Sequence, residues 1–231
     1  MPIPPTTSTL SSVNPIDLRS FVQTFYGDQA PERCLGRFQK CAVESMPAHV
    51  QRLLAHEHHM TVTVEQHFNA EVDLKVLQSQ STGESYWRKI VLTLRDSGRV
   101  AMFGLVRIDL KILDAPVRDA IRNQHAPLGR ILIENDVLRK VRLVDLYRIE
   151  PGEDLLRCWP RRSSGTSADT ANGTTVAPLA AAHFADPSNT TTDGAAASTH
   201  SPCCYGRTAL IYCDHRPVIE LLEIVDGQIE T

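Results

Sequence analysis

The chain has 231 residues, with 24 Lys+Arg set against 27 Asp+Glu for a formal net charge of −3. That near-balance lacks the basic excess of a dedicated nucleic-acid binder, so no nucleic-acid partner is expected, while a local basic pocket for a small anion stays open. No apolar run approaches the roughly 20 residues that cross a bilayer, and no membrane span is expected. The opening MPIPPTTSTLSSVNP has neither a basic start nor an apolar core, unlike a secretory signal. A cytoplasmic protein is the expectation, with its six cysteines as reduced thiols.

In chain order, residues 1–14 are rich in Pro, Thr and Ser and read as a disordered tail. Ile16 to Tyr26 places Leu18, Phe21, Val22 and Phe25 on one helical face, with Gly27 closing it. Pro47 to His56 reads as a second short helix carrying Val50, Leu53 and Leu54. From Met60 the pattern turns extended, through MTVTVEQHF, AEVDLKVLQS, SYWRKIVLTLRD and GRVAMFGLVRIDL, with Asp96-Ser97-Gly98 as a hairpin turn. Asp114 is an N-cap candidate for a helix from Ala115 to Gln124, and a short helix starts near Pro127. Val137 to Glu150 is a further strand.

Residues 161–202 are dominated by Ala, Ser, Thr, Gly, Asp and Pro, offer no face to bury, and read as a disordered, low-complexity insertion. After it, GRTALIYCD and RPVIELLEIVD form a closing hairpin about Asp214-His215-Arg216. The expectation is an α+β fold, one domain built from residues 15–160 and 203–231, with an antiparallel sheet of some six strands.

Few residues advertise chemistry. His56-Glu57-His58-His59 is dense in histidine, but a zinc helix needs HExxH with its histidines four apart, so no metal is expected. Nucleophile elbow, phosphate loop and dinucleotide fingerprint are all absent. Charged residues inside apolar strands stand out instead: Arg88 and Lys89 after Tyr86-Trp87, and Glu223 within LLEIV. Strand alternation sends Arg88 and Lys89 to opposite faces, and likewise Glu220 and Glu223. Two readings follow: a solvated sheet face, or an enclosed anion site with a catalytic carboxylate, since buried charges need partners.

These pieces resemble the chorismate pyruvate-lyases (4-hydroxybenzoate synthases), in particular their divergent actinobacterial and cyanobacterial branch. LLAHEHHMTVTVEQHF is similar to the family's entry segment, and YWRKIVLTLRDSG to its Tyr-Trp…Arg strand and turn. PLGRIL, Pro127 to Leu132, is similar to its PLGR(Y/I)L signature, and YGRTALIYCDHRPVIELLEI to its closing hairpin. The likeness covers about residues 50–157 and 203–226, in the family's order.

The resemblance implies a six-stranded antiparallel sheet with helices packed on it and a ligand enclosed beneath flaps. By position, Arg88 matches the arginine that anchors a substrate carboxylate and Glu223 the essential acid. Leu128 matches the residue whose backbone touches ligand, and Met60 lines the pocket. The well-studied branch has Ala-Gly-Arg where this chain has Phe103-Gly104-Leu105, so either a second cation comes from elsewhere, with Arg107, Arg130 and Arg207 as candidates, or the ligand differs. The implied activity is a cofactor-free lyase releasing pyruvate from the dianion chorismate to give 4-hydroxybenzoate, a precursor in aromatic and quinone biosynthesis. Arg88 would clamp a carboxylate through its planar fork, and Glu223 would move a proton. The alternative is a non-catalytic, sensor-like domain that binds a small carboxylate, as in the effector domains of some transcription regulators.

Overall fold

A computed structural model describes residues 16–160 and 203–229. The expected tail and insertion, 1–14 and 161–202, lie outside the described residues. In chain order the elements are α1 (Leu18–Tyr26), α2 (Pro31–Cys34), β1 (Gly36–Lys40), α3 (Ala48–Leu54), α4 (Met60–Phe68), β2 (Val72–Thr82) and β3 (Ser85–Leu94). Then follow β4 (Val100–Asp109), α5 (Ala115–Asn123), α6 (Leu128–Glu134), β5 (Arg139–Pro151), α7 (Glu153–Cys158), β6 (Cys204–Cys213) and β7 (Arg216–Asp226). The strands form one antiparallel sheet in the order β1-β5-β6-β7-β4-β3-β2. This is an α+β fold with seven strands where the sequence suggests six.

The edge strand β1 accounts for the count, and one segment changes type. The short edge strand β1 has no alternating pattern of its own and is defined by pairing with β5, Gly36 opposite Pro151 through Lys40 opposite Tyr147. Residues 60–68, read as extended, are the helix α4. Their β-branched residues favour a strand locally. Burial decides otherwise: Met60, Thr61 and Val64 share one face and pack into the core, and Asn69 ends the helix in the left-handed region at φ 48°.

Turn chemistry behaves as the sequence suggests. Gly98 takes φ 67° between β3 and β4. Asp214 and His215, at φ 48° and 65°, both occupy the positive-φ region that a tight two-residue hairpin requires.

Helices cover both faces of the sheet. On one face, Ile90, Leu92, Met102, Val106, Ile211 and Leu221 pack against Val50, Leu53 and Leu54 of α3, Met60 and Val64 of α4, and Leu128 and Leu132 of α6. On the other, Trp87, Val91, Phe103, Leu105, Leu222 and Ile224 pack against Phe21, Val22 and Phe25 of α1 and Leu155 of α7. The central strands therefore read as nearly continuous apolar runs. The solvated-face reading of their charges fails: Arg88 and Arg207 are 0% exposed and Glu223 6%.

Candidate functional site

Cross-strand register builds the site. One row across the α3/α4/α6 face runs Leu146, Arg207, Glu223, Gly104, Ile90 on β5, β6, β7, β4 and β3. The adjacent row on that face runs Ala209, Leu221, Val106, Arg88. Gly104 sits between Glu223 and Ile90, and a Cβ there would meet Ile90 Cγ1 at 3.1 Å, so this glycine keeps the floor clear.

Above the floor lies a pocket lined by Met60, Thr61, Leu128, Arg207, Leu221 and Glu223, together with Ile90, Met102, Val106 and His58–His59. The cavity measures about 40 Å³. A six-membered ring needs more, so side chains must shift to admit one.

Arg207 and Glu223 face each other directly, with Arg207 Nε donating to Glu223 Oε2 at 2.6 Å. The rest of the guanidinium serves the connection between α3 and α4. Nη1 donates to the carbonyls of His56 at 2.7 Å and Leu54 at 3.5 Å, and Nη2 to that of His58 at 3.1 Å.

The His56 ring completes this latch. Arginine only donates, so His56 Nδ1 accepts from Arg207 Nη1 at 3.1 Å, and Nε2–H donates to the Leu53 carbonyl at 2.7 Å. Burial first, and then the charge of Arg207, push His56 down to about 4. His59 is likewise pushed to about 4 by burial and by Arg139, whose Nε donates to His59 Nε2 at 2.7 Å. Both rings are neutral near pH 7. Both nitrogens of His56 are spent within the chain, which removes it as a metal ligand. Among the described residues no cluster of three His, Cys, Asp or Glu side chains could hold a metal ion.

Arg88 is different in kind. Its Nε, Nη1 and Nη2 are buried without a hydrogen-bond partner. Burial lowers its pKa, with the neighbouring Tyr86 acting in the opposite sense, yet a guanidinium keeps its proton. Tyr86 lies two residues earlier on the same face, and its hydroxyl is buried and unpaired as well. Arg88 sits beside the pocket wall, directly across from the lining residue Val106 and one same-face step from the lining residue Ile90.

Of the residues singled out by sequence, Met60, Leu128, Arg207 and Glu223 come together around the pocket, and Arg88 stands on the same face behind its wall. Leu105 points into the opposite core, and its site-face neighbour Val106 is also apolar. Arg107 is on that opposite side, paired with Glu220 and donating to Thr24 Oγ1 at 3.1 Å. Arg130 pairs with Glu65 at 2.7 Å and is partly exposed. Only Arg207 among the three substitutes reaches the pocket, and each of its three nitrogens already has a partner. Tyr86 and the Arg139–His59 contact were missed; the even spacing from Arg88 was the signal for Tyr86.

No family model matches the sequence, and no curated protein matches it. Among solved structures the chain is similar to a GntR-family transcriptional regulator from Bacillus cereus, at 8% identity and a TM-score of 0.38, over 70% of this chain and 96% of that one. A likeness at that level carries no functional argument.

Proposed function

We propose that the domain binds a small organic carboxylate in this pocket, anchored by Arg88. The observation that carries the reading is the fully buried guanidinium with no partner. An unpaired buried charge costs several kcal/mol, which a carboxylate in bidentate contact offsets. Tyr86 adds a hydroxyl donor beside it, and the apolar lining suits a ring. Titration with 4-hydroxybenzoate tests the reading: wild type should bind and Arg88→Met should lose at least about 30-fold in affinity. Equal binding by both proteins overturns it.

A second reading, chorismate pyruvate-lyase, is favoured by Glu223, a carboxylate on the pocket wall held in place by Arg207. In that reaction the ring proton beside the ether carbon leaves, the ring C–O bond breaks, and the enolpyruvate takes up a proton at its methylene carbon. The products are 4-hydroxybenzoate and pyruvate. Glu223 is the group positioned to move a proton. Incubation with chorismate, followed by pyruvate release, separates an enzyme from a binding domain.

A further inference from the structure

The geometry points to a second ligand site on the other face of the sheet, a groove that takes a small organic anion with an apolar body. It shares no lining residue with the carboxylate pocket and stands or falls independently of it.

The groove follows from how far the helices reach. The core on this face takes Trp87 and Val91 of β3 and Phe103 and Leu105 of β4, and stops short of the edge strand β2. Register sets Lys75 of β2 opposite Val91, and Gln78 opposite Lys89. β3 is thus the floor, β2 one wall, and α7, carrying Asp154 and Arg157, the other. The space between them measures about 480 Å³, within the roughly 300–1,000 Å³ usual for small-molecule sites. Leu77, Val91 and Val100 give it an apolar strip, and Leu77 is 45% exposed. A ligand body laid along that strip removes apolar surface from water.

Charge selects the ligand. Lys75, Lys89 and Arg157 line the groove against one carboxylate, Asp154. That carboxylate is fully engaged. Its Oδ2 accepts from Lys89 Nζ at 3.0 Å and from the Tyr26 hydroxyl at 2.8 Å, and its Oδ1 from Arg157 Nη1 at 3.0 Å. Lys89 Nζ also lies 3.9 Å from the centre of the Tyr26 ring, which fixes it further. Behind Asp154, Glu153 is shared between Arg157 and Arg33.

The network therefore sets Arg33, Lys89 and Arg157 against Glu153 and Asp154, which leaves a positive excess on the α7 wall. Lys75 adds to it from the β2 wall. Asp73, two residues earlier on β2, is paired with Arg95 at 3.0 Å. An anion set between Lys75 and Arg157 is attracted from both sides, and the walls of a cleft focus that field. A cation of the same shape is repelled.

The test is calorimetric titration of the full chain with naphthalene-2-sulfonate and, as its cationic match, 2-naphthylmethylammonium. Two fused rings far exceed the cavity of about 40 Å³ on the other face, so the probe separates the two sites. Wild type should bind the sulfonate, and the ammonium at least about 5-fold more weakly, the scale of one exposed ion pair. Lys75→Glu, at an exposed position of the edge strand, should weaken sulfonate binding by at least that factor. Arg88→Met should bind the sulfonate as wild type does. The inference is overturned if wild type does not bind the sulfonate, if both probes bind equally, or if Lys75→Glu binds it as tightly as wild type. Binding that Arg88→Met loses and Lys75→Glu keeps places the probe in the other pocket and overturns it as well.

Discussion

Arg207 and Glu223 stand directly opposite each other on β6 and β7, and the arginine also ties the α3–α4 connection to the sheet. The carboxylate and the pocket roof are thus held by one side chain. Among the buried cations of the described residues, Arg207 and Lys89 are paired and Arg88 is not.

Breaking the pair should be costly. Arg207→Met leaves Glu223 buried without its partner and removes the arginine's bonds to the His56 and His58 carbonyls, and should destabilise the protein by about 3–5 kcal/mol. The double variant Arg207→Met/Glu223→Leu should recover part of that loss. Chemical denaturation of the four proteins in the cycle measures it; an Arg207→Met variant as stable as wild type would break the argument.

Arg88 should show the opposite behaviour in the absence of ligand. Arg88→Met replaces an unpaired buried guanidinium with an apolar side chain of similar length. It should raise stability by about 1–3 kcal/mol while ligand binding is lost. Thermal denaturation without ligand reads the gain. A fall in melting temperature would mean that Arg88 has a structural partner after all.

Acid should weaken the fold through the two buried histidines. His56 and His59 have folded values of about 4 against an ordinary 6.5, so between those limits the unfolded chain binds more protons than the folded one. Their contribution is complete above about pH 6.5 and is lost as pH falls towards 4. His59→Gln should flatten the dependence of melting temperature on pH across that window. An unchanged slope would show that His59 is protonated as readily in the folded state as in the unfolded one.

The two glutamates of β7 should separate cleanly if the protein is a lyase. Glu223→Gln should still bind 4-hydroxybenzoate yet lose about 10²- to 10⁴-fold in pyruvate release, the usual scale of general acid–base catalysis. Glu220→Gln lies on the far face with Arg107 and should leave turnover near wild type. Reversed effects would put the catalytic carboxylate on the other side of the sheet.

Local chemistry in the sequence was enough for much of this molecule. The α1 stripe, the turns at Gly98 and at Asp214-His215, and the last six strands are governed by neighbours a few positions away, through period, glycine and turn preference. Strand parity likewise put Arg88 and Lys89, and Glu220 and Glu223, on opposite faces before any contact was known.

Tertiary structure decided the rest. Residues 60–68 carry β-branched side chains, yet the core needs Met60, Thr61 and Val64 on one helical face, and that packing overrides propensity. Whether a buried arginine is free depends on partners distant in sequence: Arg207 is committed to His56, 151 positions earlier, whereas Arg88 meets no such acceptor. Composition counts both as one positive charge each. Only the fold, by bringing carbonyls to one and apolar side chains to the other, makes the first a latch and leaves the second without a partner.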